Sequence, residues 1–265
     1  MDDKGKAAGP HPNLPPEGEG VKAARRVSPV TRHLQRMAAA EAAARADAPQ
    51  QMPSAASHAR ELMLAQLYEH TKTLKGFQSV EKKIAAKAEM VLVYDDYIDG
   101  VLKAGQGEDD PIVTTLLVWN IDAGRYDRAL QIAAYVLARG LKLPDQYQRD
   151  VPTLLLDEFS EAAIAGKLAG EQALKILSAL GALTEGHDAP DQANAKFWKA
   201  LGWATMGKTR TVEVDPKELA LEPCQHARTY LTRALELDAN VGVKKDVERL
   251  QRRIEQLGGD AGAPN

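Results

Sequence analysis

Apolar side chains in the middle of the chain recur every three or four positions, which is the spacing of one face of an α-helix. A first helix is predicted over residues 110–122, because the Asp110 carboxylate can cap free N–H groups and a proline follows it. A second is predicted over 127–139, ended by Gly140. The turn at 123–125 is so short that the two helices must be antiparallel neighbours. Their apolar positions are Ile112, Val113, Leu116, Leu117, Ile121, Leu130, Ala133, Ala134 and Leu137.

The same spacing predicts helices on both sides of this pair. Residues 54–105 are predicted to form a long helical hairpin, whose second helix runs unbroken over about 80–104. Its apolar faces exceed what two helices can cover for each other, so the hairpin is a candidate for homo-oligomerisation. Residues 106–207 are predicted to form a central helical domain. Its later helices are expected at Thr153–Ala165, at Glu171–Leu183 and from Pro190 through Trp203.

The pattern changes after the central domain. Thr209, Thr211, Val212 and Val214 alternate with polar residues, which predicts a loop or short extended insertion over 208–222. A C-terminal helix pair is predicted over 223–258, followed by a flexible tail at 259–265. In the last helix, apolar residues recur at the spacing of a coiled coil over two heptads. So short a pattern is also typical of a helix that simply packs on the preceding one. These residues are Val243, Val247, Leu250, Ile254 and Leu257.

The predicted fold class is therefore all-α, an array of antiparallel helical hairpins. Gly124, Tyr126, Ala129 and Leu130 resemble the inter-helix turn of a tetratricopeptide repeat, which implies partial tetratricopeptide-like character. Composition agrees with a helical protein, since 44% of the 265 residues are hydrophobic but only 5% are aromatic. No apolar run is long enough for a membrane span, so no membrane partner and a cytoplasmic location are expected. The single cysteine excludes an internal disulfide.

The N-terminal region carries the clearest local charge. Residues 1–27 are rich in glycine, proline and charge and are expected to be disordered; 28–48 are predicted to form a basic helical arm. Because the net charge of the chain is −3, any contact with nucleic acid must be local. Residues 22–45 contain six basic residues and one acid. A solvated helix face would also explain this pattern. The candidate phosphate contacts are Arg25, Arg26, Arg32, His33 and Arg36.

A second basic group lies in the last predicted helix. Lys245, Arg249 and Arg252 share a face that differs from the apolar one, which makes them a further DNA-binding candidate. Asp246 and Glu248 lie beside them in the sequence, and their negative charges partly offset the positive charge of this group.

Several segments together resemble a known viral family. LLVWNIDAG at 116–124, ALQIAAYVLARGLKLP at 129–144, SPVTRHLQRM at 28–37 and VGVKKDVERL at 241–250 occur in the family's order, and the similarity extends over roughly 28–257. The family is the small terminase subunit of temperate contractile-tailed phages that package cohesive-end DNA. It is often catalogued as the terminase endonuclease subunit.

This resemblance implies a function and partners. A member of this family is expected to bind double-stranded phage DNA at the cohesive ends, to assemble as a homo-oligomer and to regulate the large subunit. The large subunit is expected to hydrolyse ATP, cut the DNA and drive packaging in the host cytoplasm. A tetratricopeptide-like interaction scaffold that never contacts DNA is the other interpretation of the same helices.

One short motif matches a nucleotide-binding pattern. GWATMGKT at 202–209 fits the phosphate loop G-x-x-x-x-G-K-T. That loop needs a strand before it and a helix after it, so that backbone N–H groups surround the phosphates. Here the residues before the motif are predicted to be helical and those after it extended. We therefore interpret the match as chance and assign no cofactor-binding residue and no metal.

A nuclease would need convergent carboxylates that hold Mg²⁺. The candidate catalytic residues are Asp109, Asp110 and Glu158, and Asp95 with Asp99 forms another acidic pair. Each has a structural explanation as well: Asp110 can cap a helix, Glu158 can face solvent, and Asp99 can pair with Lys103. The sequence leaves open whether this chain is an enzyme; Mg²⁺ is a cofactor only if it cleaves DNA itself.

Overall fold

The computed structural model describes residues 55–105, 110–144 and 148–260. Within these ranges the chain forms ten α-helices and two short 3₁₀ turns, and no β-strand, so the described chain is all-helical. The predicted segments 1–27 and 28–48 lie outside the described residues. The helices are α1 Ala55–Gly76, α2 Val80–Met90, α3 Asp95–Ala104, α4 Pro111–Asp122, α5 Tyr126–Arg139, α6 Val151–Ile164, α7 Gly170–Thr184, α8 Asp191–Met206, α9 Leu221–Leu237 and α10 Lys244–Asp260.

Helix α4 lies at the centre of the core. It begins as predicted, with the Asp110 carboxylate accepting a hydrogen bond from the Ile112 N–H and a proline in the first turn. All ten residues from 112 to 121 are buried, which includes the polar Asn120. The Asn120 side-chain amide donates to the Leu116 carbonyl at 2.7 Å, which satisfies that donor inside the helix. α4 is thus buried on every side, whereas the sequence predicted burial of one broad face.

Helix α5 packs against α4 across the turn at residues 123–125. Gly124 and Gly140 both have positive φ, at 73° and 63°, a conformation that glycine adopts without steric penalty. Gly140 ends α5 in the left-handed conformation, as predicted. α5 buries one stripe of apolar residues and leaves its polar face outward, as expected of an amphipathic helix. The buried residues are Tyr126, Ala129, Ile132, Ala133 and Val136.

The predicted unbroken helix over 80–104 is wrong in one respect. A 3₁₀ turn at Val91–Tyr94 separates α2 from α3. Side chains three apart eclipse each other in a 3₁₀ turn, so Val91 and Tyr94 point to the same side. Both are completely buried. The Tyr94 hydroxyl and His70 Nδ1 of α1 share a hydrogen bond of 2.9 Å, and burial raises the pKa of Tyr94 to about 12. The Tyr94–His70 contact therefore joins the turn to α1.

Helix α8 connects the central core to the C-terminal helices. It contacts α6, α7 and α9, and its closest approach is to α9 at Gly202. A β-carbon at Gly202 would lie 2.5 Å from Leu231 Cδ2, so the helices can pack at this distance only because the side chain is absent.

The connection from α8 to α9 spans residues 207–220 and contains one 3₁₀ turn, Pro216–Glu218. The sequence predicted a loop over 208–222, and α9 begins slightly earlier, at Leu221. Helices α9 and α10 share a small second core with the end of α8. Val243 and Leu250 are buried in it, while Val247 and Ile254 pack against it, so four of the five residues of the predicted seam pack within the chain. Of the predicted tail, residues 259 and 260 continue α10.

Among the described residues, none of the helices combines the length and apolar character that a membrane span needs.

Candidate functional site

The predicted DNA-contacting residues of the arm lie outside the described residues. They are Arg25, Arg26, Arg32, His33 and Arg36. Asp109 also lies outside the described residues. The structure does place the other acidic candidates, the lysine of the phosphate-loop motif and the basic residues of α10.

Asp110 has a structural role with both carboxylate oxygens. Oδ1 accepts the N–H of Ile112 at 2.9 Å, and Oδ2 accepts the Tyr97 hydroxyl at 2.6 Å. The residue is only 8% exposed. Burial, followed by the hydrogen bond to Asp110, raises the pKa of Tyr97 well above its usual range, so the phenol stays a donor. Asp110 therefore joins the start of α4 to α3.

Asp95 and Asp99 both pair with arginines of the α4–α5 region. Arg125 donates to both oxygens of Asp95, at 3.1 and 2.7 Å, in the two-pronged geometry that guanidinium favours. Arg128 Nη2 lies 2.7 Å from Asp99 Oδ1. The predicted pairing of Asp99 with Lys103, one turn along its own helix, gives way to this contact, because α5 brings a cation closer.

Glu158 belongs to a row of three acids on α6, with Asp157 and Glu161. Arg149 Nη1 lies 3.0 Å from Asp157 and 3.5 Å from Glu158. Lys196 lies 3.4 Å from Asp157 and 3.8 Å from Glu161. Burial, followed by the negative charge of Asp122, raises the pKa of Glu158. The three acids thus form ion pairs with neighbouring segments, whereas the sequence indicated only that Glu158 could face solvent.

The phosphate-loop motif does not form a phosphate loop. Gly202 lies inside α8, and Gly207 ends that helix with a φ of 74°. Lys208 is 7% exposed, and its Nζ lies 2.8 Å from Asp246 Oδ1 and 3.1 Å from Glu213 Oε2. The order of elements is helix then loop, the reverse of the order that places backbone N–H groups around a phosphate. The interpretation of GWATMGKT as a chance match agrees with this geometry.

Sequence reasoning missed the cluster around Lys208. Trp203 Nε1 donates to Asp246 Oδ2 at 3.0 Å, and the ammonium groups of Lys199 and Lys208 lie 4.6 and 4.8 Å from the Trp203 ring. Burial lowers the pKa of Lys199, whose Nζ donates to the Val241 carbonyl. Two lysines on one indole ring is a cation–π arrangement. Asp246 is far from Trp203 and Lys208 in the sequence, so no local pattern indicated this contact.

None of the described residues forms a group of three or more His, Cys, Asp or Glu side chains that could hold a metal ion. Asp110 and Glu158 in particular belong to different contacts. Of the three predicted acids, the structure describes Asp110 and Glu158, and it does not bring these two together.

Comparison with known proteins decides the family. A family model described as "Phage small terminase subunit" matches residues 64–192. The chain is also similar to "Terminase, endonuclease subunit" of Escherichia phage P2, with 35% identity over 231 residues, which is 86% of each chain. The chain belongs to the phage small terminase subunit family. The resemblance predicted from the sequence is confirmed, and the role of this family member is that of a small subunit in viral genome packaging.

The family match covers only part of the small terminase subunit fold described above. It begins within α1 and ends at residue 192, just inside α8. Asp110, Glu158 and the α4–α5 pair lie within it, while Lys208, α9 and α10 lie beyond it. No solved structure matches this chain.

Proposed function

We propose that this small terminase subunit binds double-stranded phage DNA at the cohesive-end region and regulates the large subunit that hydrolyses ATP and cuts. Membership of the family carries this proposal. The partners are the phage DNA and the large terminase subunit, in the cytoplasm of the host cell.

The basic arm supplies the main DNA contact in this proposal. With a net charge of −3, the chain as a whole does not attract DNA, whereas residues 22–45 concentrate six cations against one acid. Each phosphate that the arm neutralises releases counterions, which makes the affinity fall as salt rises. The contacts assigned to the arm are Arg25, Arg26, Arg32, His33 and Arg36.

Cutting is assigned to the large subunit. The P2 relative carries the name endonuclease subunit, which favours the alternative that this chain cleaves DNA with Mg²⁺. In this chain, however, Asp110 uses both oxygens in protein contacts, and Glu158 pairs with Arg149. Metal-assisted cleavage needs carboxylates that are free to converge on an ion.

We also propose a homo-oligomer built on the hairpin of residues 54–105. Helix α1 has 22 residues, and of those whose burial is described, from residue 57 on, only Leu67 and Leu74 are buried. Large apolar side chains remain exposed on α1, on α2 and in the 3₁₀ turn that follows, and a second copy would cover them. They are Leu62, Tyr68, Val80, Leu92 and Val93.

The helices are proposed to form an array of antiparallel hairpins with partial tetratricopeptide-like character. The contact of α4 with α5 across a three-residue turn and the packing of α9 on both α8 and α10 support this arrangement. Such an array offers a surface for the large subunit.

The test of DNA binding is a titration of the full chain with duplex DNA over a range of salt. Replacement of Arg25, Arg26, Arg32 and Arg36 by glutamine should weaken binding and flatten the plot of log affinity against log salt. An unchanged slope would remove the arm from the proposal. If the wild-type chain binds no duplex DNA, the DNA-binding proposal is wrong and the interaction scaffold is the remaining interpretation.

A further inference from the structure

A small cleft between the α8–α9 connection and α10 is lined mainly by basic side chains. Its volume is about 260 Å³. Four of the lining residues are cations and one is an acid, which leaves a net charge of +3 at the lining (4 − 1). The lining side chains are Lys217, Arg249, Arg252 and Arg253, with Asp215, Pro216 and Gln256.

The fold places these charges together from two separate segments. The Asp215 carboxylate accepts the Lys217 N–H at 3.1 Å and so caps the 3₁₀ turn, whose Pro216 is buried. This turn contacts α10. Arg249 lies three and four positions before the other two arginines, so α10 presents three guanidinium groups on one face, next to Lys217.

The guanidinium groups of the cleft have few protein partners. Arg249 Nη2 lies 3.7 Å from Asp215 Oδ1, and Arg252 Nε donates to the Glu248 carbonyl at 3.3 Å. Arg253 Nη2 donates to the Leu219 carbonyl at 3.4 Å. The Arg253 Nε is buried and has no hydrogen-bond partner among the described residues. Since each guanidinium carries five N–H donors, most donors at this cleft are available to an anion.

Three other basic residues of the described chain have closer carboxylate partners. Arg125 uses two nitrogens on Asp95, and Lys196 lies between two acids of α6. Arg210 lies 2.7 Å from Glu161. In those contacts a carboxylate already neutralises the cation. The cleft on α10 instead concentrates cations around a single carboxylate, which is the arrangement that an incoming anion can complete.

We propose that this cleft binds one phosphate group of the DNA backbone, as a second DNA contact distinct from the N-terminal arm. The inference rests on the proposed function, since it assumes that the chain binds DNA. Guanidinium forks match phosphate oxygens, and a cleft of about 260 Å³ admits a single anionic group better than an extended acidic peptide. Lys245, which the sequence grouped with Arg249 and Arg252, is not among the lining residues, and Lys217 and Arg253 take its place.

The test uses the full chain and a fluorescent duplex of mixed sequence, with binding followed by anisotropy over a range of salt. The double variant Arg249→Gln/Arg252→Gln should bind several-fold more weakly, and its salt slope should fall by about 0.9, the value for one phosphate contact. The control Lys167→Gln/Arg228→Gln removes the same charge from exposed positions outside the cleft and should keep the wild-type slope.

A variant that is expected to bind DNA more tightly distinguishes loss of a phosphate contact from loss of folding. Asp215→Asn removes the one carboxylate of the cleft but keeps the side-chain oxygen that caps the 3₁₀ turn. It should raise the affinity for DNA and steepen the salt dependence, a change that partial unfolding does not produce. Unchanged or weaker binding by Asp215→Asn contradicts the proposal.

The remaining outcomes separate this inference from the proposed function. If the wild-type chain binds no duplex, DNA binding fails altogether. If the arm variant loses affinity while the cleft variant matches its control, only the cleft proposal is overturned. Two further probes, inorganic phosphate and poly-glutamate, identify other ligands. If the cleft variant no longer binds one of these two probes but binds DNA as the wild type does, the assignment of the cleft to the DNA backbone is overturned.

Discussion

Lys208 Nζ lies 2.8 Å from Asp246 Oδ1, with the two side chains only 7% and 8% exposed. This ion pair joins the α8–α9 connection to α10, and Trp203 donates to the other Asp246 oxygen. A buried charge is tolerated in a protein interior only when a partner compensates it. The lysine that resembles a phosphate-loop lysine in sequence is therefore part of the attachment of the last helix.

The first prediction concerns the removal of this partner. Asp246→Ala should lower the free energy of unfolding by about 3 kcal/mol, because it leaves the Lys208 ammonium buried beside an exposed glutamate only. Urea unfolding followed by circular dichroism measures the change. Glu213→Ala is the matched control, since Glu213 is 72% exposed and its pair should contribute less than about 1 kcal/mol. Equal effects of the two variants would contradict the assignment.

The second prediction concerns the close approach of α8 and α9. Gly202→Ala places a β-carbon 2.5 Å from Leu231 Cδ2 and 2.7 Å from its Cγ, so either the buried Leu231 side chain or the helices must shift. The net loss should be about 1–2 kcal/mol, since overpacking outweighs the better helix propensity of alanine. Gly100→Ala in α3 is the control, because nothing lies within 4 Å of its new β-carbon. That control should be neutral or stabilising in thermal unfolding, and a stabilised Gly202→Ala would refute the packing argument.

The third prediction concerns Asp110. Asp110→Ala removes the cap of α4 and leaves the partly buried Tyr97 hydroxyl without its acceptor, so the loss should be about 2 kcal/mol. Asp110→Asn keeps a cap oxygen and should lose less. Chemical denaturation of both variants measures the difference. If Asp110→Ala were as stable as the wild type, the carboxylate would have no structural role and would again be a candidate for metal binding.

The fourth prediction is a pH dependence. Burial raises the pKa of Glu158 above its ordinary value of 4.5, so the folded state holds a proton that the unfolded state releases. Stability from this group is present below pH 4.5 and is lost as the pH rises through the higher folded pKa. Glu158→Gln should therefore gain stability relative to wild type as the pH rises from about 4.5 towards neutrality. Urea unfolding at several pH values tests this, and a pH-independent difference would contradict it.

The helices of the centre could be predicted because their signals are local. Asp110, Pro111, Gly124 and Gly140 mark the ends of α4 and α5, and each acts through the backbone of its own neighbourhood. The phosphate-loop match could likewise be set aside, since the motif depends on the elements directly before and after it.

The contacts that the sequence did not give are all non-local. The 3₁₀ turn at Val91–Tyr94 contacts α4, and its Tyr94 hydroxyl shares a hydrogen bond with His70 of α1. Asp99 pairs with Arg128 because the fold brings α5 beside α3. The basic cleft combines Lys217 of the α8–α9 connection with arginines of α10. Helical spacing alone grouped Lys245 with Arg249 and Arg252, whereas in the structure Arg253 lines the cleft with them.

The central claim is that this terminase subunit contributes helical shape and positive charge to packaging, while another chain cuts. The most direct measurement incubates the purified full chain with Mg²⁺ and a plasmid that carries the cohesive-end region of the phage. We predict that gel retardation detects a salt-sensitive complex while the plasmid stays intact. Mg²⁺-dependent nicking that disappears when Asp109 and Asp110 are changed to asparagine would contradict the account.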